Sequence, residues 1–205
     1  MTFLTHGTPK KARILFMHGA GAPMDSEFMN DMTLALASDD IQIIRFEFPY
    51  MANRRVTGKK APPPKAEKLI DDCLEVIARY DDVPLFLMGK SMGGRIASMV
   101  LEQTSAIAAF ALGYPFHPSG KPDKLRISHF ESLSKPMVVM QGTRDPLGNK
   151  EEVEGYCLPE IVTVHWFADG NHDLKPRVAS GCTQRQHLEQ AAVLIRSEIR
   201  KLLAD

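Results

Sequence analysis

Six short apolar runs rich in Val, Ile, Leu and Phe recur along the chain, and most of them are continuous rather than alternating. Continuous apolar runs are typical of strands that are covered on both faces, as in a parallel sheet. The runs therefore predict the strands of a mostly parallel sheet. They cover residues 13–17, 41–47, 84–89, 106–113, 136–142 and 161–167.

Segments with helical spacing lie between several of these runs. Apolar residues recur one helical turn apart over residues 28–36, 66–80 and 188–202, which predicts amphipathic helices. Alternating strands and helices are the signature of a doubly wound α/β fold. We therefore expect one domain over residues 1–205, with a mostly parallel sheet of about six to seven strands and helices on both faces.

Residues 51–68 interrupt the alternation with many basic residues and three consecutive prolines. Proline is disfavoured in helix interiors and central strands, so we expect a loop after the second predicted strand. Two interpretations stay open, a solvated basic loop and a basic rim beside a binding site. The basic residues are Arg54, Arg55, Lys59, Lys60, Lys65 and Lys68, against a single acidic residue, Glu67.

Charge and composition argue against several classes of partner. The chain carries 25 basic and 25 acidic residues, so no net field favours nucleic acid or a membrane surface. We find no apolar run long enough for a signal peptide or for a membrane span of about 20 residues, which predicts a cytoplasmic protein. The three cysteines fit neither a disulfide framework nor a zinc site. We expect reduced thiols, with Cys73 in the core.

The sequence GKSMGG, residues 89–94, fits two motifs that imply different chemistry. A nucleotide-binding P-loop needs a glycine at position 84, where the turn around the phosphates would open. That position is Pro84, and apolar residues with a strand pattern follow it. The P-loop is therefore disfavoured.

The second motif is the G-x-S-x-G turn that carries the nucleophile of serine hydrolases. A serine on a tight strand-to-helix turn needs small residues two positions before and after it, and Gly89 and Gly93 flank Ser91 in this way. A predicted strand precedes Ser91, and residues with helical spacing follow it. Ser91 is therefore the candidate nucleophile.

A serine nucleophile needs a histidine base and a carboxylate that orients this base. In α/β-hydrolases the acid and then the base follow the serine in the chain. Asp145 and His172 lie directly after two successive predicted strands, at the carboxyl edge where a parallel sheet carries its chemistry. Asp145 is preferred as the acid because Asp169 and Asp173 crowd the loop of the histidine itself.

The other histidines are weaker candidates for the base. His165 lies within a strand pattern, His187 starts a helix, and His6 belongs to the N-terminal tail. His117 and His129 precede the acid in the chain, so we consider them only as residues that could line a pocket.

Acyl transfer also requires two N–H donors for the oxyanion of the tetrahedral intermediate. The backbone N–H of Met92, the residue after the nucleophile, is the expected first donor. The first predicted strand is followed by HGAGAP, residues 18–23, whose glycines let the backbone turn its N–H groups towards the site. We assign the second donor to Ala20, with Gly21 as the next choice.

The motifs HGAG, GKSMGG, TRDPLG and DGNHDL occur in this order, and with them the chain resembles the α/β-hydrolase superfamily over nearly its whole length. The stretches FEFPYMANRR and GKSMGGR are similar to those of a small dienelactone-hydrolase-like or testis-expressed-protein-like subgroup. The resemblance implies Ser91 as nucleophile, Asp145 as acid, His172 as base, and the Ala20 and Met92 amides as oxyanion hole.

The chain departs from that subgroup in two respects. Its candidate nucleophile is serine, whereas true dienelactone hydrolases use cysteine. The chain is also expected to be too short for the N-terminal hairpin strands or a large helical cap. We therefore do not expect dienelactone to be the substrate.

These observations together predict a serine hydrolase that cleaves a small carboxylic ester, with a thioester or a lactone as alternatives, and that needs no metal or cofactor. A small-molecule ester is the expected partner, and nucleic acid and membrane are not. Two other functions stay open: a non-catalytic interaction or scaffold protein on the same fold, and a serine peptidase. We expect a shallow pocket between residues 51–68 and 114–131.

Overall fold

Seven strands form a single sheet within residues 2–38 and 40–204, the part of the chain that the computed structural model describes. In chain order they are β1 (Phe3–His6), β2 (Ala12–Met17), β3 (Ile41–Phe46), β4 (Leu85–Lys90), β5 (Ala109–Leu112), β6 (Met137–Gly142) and β7 (Val162–Phe167). Their order across the sheet is β1-β3-β2-β4-β5-β6-β7. Neighbouring strands are parallel, except that β1 is antiparallel to β3.

Six α-helices accompany the sheet in the described residues. They are α1 (Glu27–Leu36), α2 (Pro49–Thr57), α3 (Ala66–Ile77), α4 (Met92–Val100), α5 (Lys150–Glu154) and α6 (Gln184–Leu202). None of the helices in this part of the chain has both the length and the apolar character that crossing a membrane requires.

The core consists of two apolar layers, one on each face of the sheet. α1 and α6 pack on one face against strand residues that include Ile14 and Phe16. α3 and α4 pack on the other face against residues that include Leu15 and Met17. Successive side chains of a strand point to opposite faces, so β2 contributes to both layers and all six of its residues are buried. This double burial explains the continuous apolar runs in the sequence.

The predicted fold class is confirmed. Each of the six predicted strands corresponds to one of β2 to β7, and the three helical patterns correspond to α1, α3 and α6. Cys73 lies on the buried face of α3, and the described cysteines are all free.

Two expectations from the sequence were wrong. Residues 3–6, expected to be tail, form the antiparallel edge strand β1, so the chain does have room for one N-terminal strand. Residues 49–57 form α2, although a loop was expected over 51–68. Pro49 occupies the first turn of α2, where its fixed φ suits a helix, and Gly58 ends the helix with a φ of 70°. Residues 58–65 remain irregular, as expected.

Candidate active site

The carboxyl ends of β4, β6 and β7 bring together the three residues predicted to form a triad. Ser91 follows β4, Asp145 lies on the loop after β6, and His172 lies on the loop after β7. The Nε2 atom of His172 is 2.8 Å from Ser91 Oγ, and its Nδ1 atom is 2.8 Å from Asp145 Oδ2. The three side chains thus form one continuous hydrogen-bonded chain.

Ser91 lies on a strained turn that only small neighbours permit. Its φ of 50° and ψ of −114° are rare for a residue other than glycine. A Cβ atom on Gly89 would lie 2.0 Å from the backbone carbon of Gly93, and one on Gly93 would lie 2.5 Å from the Met17 carbonyl oxygen. The two glycines therefore allow β4 and α4 to meet at a sharp angle with the serine hydroxyl at the apex.

The carboxylate of Asp145 is fully buried and satisfied by hydrogen bonds. The Leu147 N–H donates to Oδ1 over 2.8 Å, and the Gln141 side-chain amide donates to Oδ2 over 3.0 Å. Gln141 also accepts from the Tyr114 N–H over 2.7 Å. Because Gln141 lies on β6, it ties the acid loop to the end of β5. These hydrogen bonds hold the carboxylate in a fixed orientation behind His172.

Lys90, the last residue of β4, holds the loop that carries His172. Its ammonium group donates to the His172 carbonyl oxygen over 2.9 Å and pairs with Asp173 at 3.1 Å. Burial lowers the pKa of Lys90, while Asp173 acts in the opposite direction. Asp169, the other acidic residue of this loop, pairs instead with Arg144 and Arg177. The preference for Asp145 over Asp169 therefore agrees with the geometry.

His18 and Tyr50 hold the backbone around Ala20. The Phe48 N–H donates to His18 Nε2 over 3.2 Å, so the ring proton lies on Nδ1, which donates to the Gly19 carbonyl oxygen over 2.7 Å. Burial lowers the pKa of His18, which keeps the ring neutral. The Tyr50 hydroxyl donates to the Ala20 carbonyl oxygen over 3.0 Å. Both peptide groups that flank Ala20 are thereby oriented.

The N–H groups of Ala20 and Met92 are the two predicted oxyanion donors. Within residues 2–38 and 40–204, neither N–H has a hydrogen-bond acceptor in the protein. Met92 is the first residue of α4, where a backbone N–H has no partner within the helix. Both residues line the same cleft as Ser91. Two backbone donors without an acceptor in the protein therefore border the cleft beside Ser91.

Two clefts meet at Ser91. One, of about 390 Å³, is lined by residues from both predicted rims, including Pro63, Pro64 and Pro115. The other, of about 260 Å³, lies on the His172 side and is lined by Phe28 and other apolar residues. A groove of about 400 Å³ between α1 and α6 contains none of the site residues. The pocket thus lies at the predicted place and is open.

The basic segment contributes less charge to this pocket than its composition suggests. Arg55 pairs with the buried carboxylate of Glu47 at 2.6 Å and with Asp25 at 2.5 Å. These carboxylates raise the pKa of Arg55. Arg54 donates to the Gly21 carbonyl oxygen over 3.0 Å. Arg55 therefore anchors α2 next to the sheet. Of residues 51–68, Pro63, Pro64 and Ala66 line the cleft beside Ser91, whereas Arg54 and Arg55 do not.

A second serine–histidine pair lies behind the site. Ser98 Oγ on α4 is 2.8 Å from His129 Nε2 and also donates to the Arg95 carbonyl oxygen. Burial and the Arg95 charge lower the pKa of His129 to about 4. The Ser98 side chain is buried on α4, so its hydroxyl group cannot attack a substrate.

Comparisons with known proteins agree with this architecture. The profile of the alpha/beta hydrolase domain matches residues 10–200. The structure resembles an alpha-beta serine hydrolase homologue from Coxiella burnetii, with a TM-score of 0.71 and 17% identity over 93% of this chain and 89% of that chain. It also resembles a Xanthomonas campestris a/b serine hydrolase without lid, with a TM-score of 0.68 and 16% identity over 97% and 88% of the two chains.

A third similar structure is that of Est1E from Butyrivibrio proteoclasticus with ferulic acid bound. Its TM-score is 0.67 at 14% identity, over 100% of this chain and 96% of that chain. At these low identities the similar structures establish only the fold. The family profile, in contrast, matches the amino-acid sequence over residues 10–200. The chain therefore belongs to the alpha/beta hydrolase family.

Proposed function

We propose that the protein is a serine hydrolase that cleaves a small carboxylic ester through an acyl intermediate on Ser91. The observation that carries the proposal is the hydrogen-bonded chain from Ser91 through His172 to Asp145, with both distances 2.8 Å. Family membership and the likeness to hydrolase structures support hydrolase activity in general.

The first half of the reaction forms the acyl-enzyme. His172 Nε2 takes the proton of the Ser91 hydroxyl as the serine oxygen attacks the ester carbonyl carbon. The carbonyl oxygen becomes an oxyanion and accepts hydrogen bonds from the Ala20 and Met92 N–H groups. His172 then gives its proton to the alcohol oxygen, the carbon–oxygen bond breaks, and the alcohol leaves.

The second half repeats these steps with water. His172 takes a proton from water, the resulting hydroxide attacks the acyl carbon, and the carboxylic acid leaves when Ser91 recovers its proton. Asp145 accepts the Nδ1 hydrogen bond of His172 throughout and thereby stabilises its imidazolium form. No step requires a metal ion or a cofactor.

A scaffold without catalysis explains the site less well. The φ of 50° at Ser91 is strained, and a buried carboxylate such as Asp145 is costly unless it is satisfied. A scaffold protein would have no use for a strained serine and a buried carboxylate that both contact one histidine. We prefer a small ester to a peptide because the cleft beside Ser91 has a volume of about 390 Å³, which suits a small acyl group.

The test combines a substrate series with a covalent probe. The wild-type protein is expected to hydrolyse short 4-nitrophenyl esters, to show a burst of nitrophenol equal to the enzyme concentration, and to react with a fluorophosphonate probe. Matched ester, thioester and lactone substrates of the same acyl length identify the preferred bond. A folded protein that shows neither turnover nor labelling would refute the proposed function.

A further inference from the structure

Two arginines without an acidic partner line the cleft beside Ser91. Arg95 lies on α4, one turn after the nucleophile, and Arg126 lies on the segment that faces it across the cleft. In the described part of the chain, no carboxylate forms an ion pair with either guanidinium. Arg55, by contrast, is paired with Glu47, and Arg54 donates to the Gly21 carbonyl oxygen.

The environment of Arg95 leaves a buried donor unused. Its Nε–H is buried and has no hydrogen-bond partner among the described residues. Leaving a buried donor unpaired is unfavourable, and more so when the group is charged.

The groups around the two arginines do not compensate their charge. Burial and the Arg95 charge lower the pKa of Arg126, so the two guanidiniums repel each other. Burial and the same Arg95 charge lower the pKa of His129 to about 4, so this neighbour is neutral at pH 7. The cleft is therefore positively charged, which favours the binding of an anion.

The position of His172 indicates which part of a substrate enters this cleft. His172 lines the smaller cleft but not the cleft that holds Arg95 and Arg126. As general acid it must reach the oxygen of the leaving alcohol. The alcohol therefore leaves through the smaller cleft, beside Phe28 and Met29, and the acyl group extends towards the arginines.

We propose that Arg95 and Arg126 bind a carboxylate at the far end of the acyl group, so that the substrate is a half-ester of a short dicarboxylic acid. This inference rests on the proposed function, because the acyl group is assigned to this cleft through the role of His172. A guanidinium presents paired N–H donors that match a carboxylate. Hydrolysis of such a half-ester releases the alcohol and the free dicarboxylate.

Two esters that differ in one group test the proposal. The first is the 4-nitrophenyl half-ester of glutaric acid, and the second is the same ester with its terminal carboxylate replaced by a carboxamide. Rates are corrected for spontaneous hydrolysis. The wild type is expected to show a kcat/KM at least about ten-fold higher for the half-ester than for the carboxamide ester, because a hydrogen bond to a charged group contributes on that scale. This preference should shrink as ionic strength rises.

Substitution of the arginines should remove the preference selectively. Arg95→Met and Arg126→Met are each expected to lower kcat/KM for the glutaric half-ester about ten-fold or more. For the carboxamide ester, kcat/KM should change less than about two-fold. Arg126→Lys, which keeps the charge but loses the paired donors, should fall between wild type and Arg126→Met. Lys121→Met is the matched control, because it removes an exposed charge from the segment of Arg126 without lining the cleft.

The outcomes separate this proposal from the proposed function. Equal rates for acid and carboxamide, or equal losses for both in the arginine variants, would overturn the anion site while leaving the hydrolase intact. A preference for a carboxylate on the alcohol side would overturn the assignment of the clefts. Calorimetric binding of glutarate, but not glutaramide, that depends on both arginines would support the anion site even in a protein that cleaves no ester.

Discussion

The Nε2 atom of His172 lies 2.8 Å from the Ser91 hydroxyl oxygen, although the residues are 81 positions apart in the chain. Two features of the fold bring them together. Parallel strands place the loops after β4 and β7 at the same edge of the sheet, and Lys90 holds the backbone of His172 through its carbonyl oxygen. The residue next to the nucleophile thus positions the base.

Ser91→Ala is expected to abolish both ester hydrolysis and fluorophosphonate labelling, because the hydroxyl is the only covalent centre of the proposed mechanism. The circular dichroism spectrum and melting temperature should stay close to those of the wild type. Ser98→Ala is the matched control, since Ser98 also forms a hydrogen bond with a histidine. The probe should still label this variant. Labelling that survives in Ser91→Ala would place the nucleophile elsewhere.

Asp145→Asn is expected to lower kcat by roughly 10⁴-fold, because an amide favours the wrong tautomer of the histidine. The KM should change far less, since Asp145 lies behind His172 and is fully buried. Steady-state kinetics on a short 4-nitrophenyl ester measure both constants. Asp169→Asn is the control, because Asp169 pairs with arginines rather than with the histidine. A large loss in the control and a small one in Asp145→Asn would reverse the choice of acid.

The sequence was sufficient for the features that depend on local patterns. Continuous apolar runs indicated β2 to β7 because both faces of these strands are covered. Gly89 and Gly93 indicated the turn at Ser91. A Cβ atom on Gly89 has no space because α4 lies against β4, and one on Gly93 has none because α4 lies against the end of β2. The order of the motifs then indicated Asp145 and His172.

Features that depend on contacts between distant residues were not predicted. α2 has no apolar stripe, since only Met51 is buried in it, and its position follows from the Arg55–Glu47 ion pair. Gln141 lies within a run of apolar strand residues, and its role depends on a loop that folds back over it. Arg95 and Arg126 are 31 residues apart, and their absence of acidic partners is visible only in three dimensions.

Gly89→Ala is expected to destabilise the protein by more than about 2 kcal/mol, because the added methyl group overpacks the turn. The new Cβ atom would meet backbone atoms of Gly93 and Gly94 at 2.0 and 2.1 Å, so no side-chain movement relieves the clash. Gly21→Ala is the control, because its Cβ atom meets nothing within 4 Å. Urea unfolding of both variants measures the difference, and equal stabilities would contradict the packing argument.

Acid is expected to destabilise the fold in part through His129. Its pKa is lowered from 6.5 to about 4 in the folded protein, mainly by burial. Below pH 6.5 the unfolded chain therefore binds a proton that the folded chain does not. The free energy of unfolding should fall as the pH drops from about 6.5 to about 4. Because the ring is partly exposed and solvent screens its charge, the slope should stay below the limit of about 1.4 kcal/mol per pH unit for one proton. In His129→Gln this part of the slope should disappear, as urea unfolding across that range would measure; identical slopes would contradict the assignment.

The length of an uncharged acyl chain should have an optimum set by the cleft beside Ser91. Each methylene gains about 0.8 kcal/mol only where a wall buries it, and Pro63, Leu69 and Leu147 supply such walls. An alkyl chain in this cleft also meets Arg95 and Arg126, whose desolvation without a partner is unfavourable. We therefore expect kcat/KM for 4-nitrophenyl esters to fall beyond roughly six acyl carbons, because further methylenes gain no free energy from burial.

Replacing one of these arginines tests the cause of that limit. Arg126→Leu substitutes an apolar wall for a charged one and is expected to move the optimum to longer chains, because additional methylenes then become buried without desolvating a cation. Lys121→Met should leave the optimum unchanged. A wild-type rate that rises steadily to twelve-carbon esters would mean that a deep acyl tunnel exists. An optimum that stays in place in Arg126→Leu would mean that Arg126 does not limit the chain length.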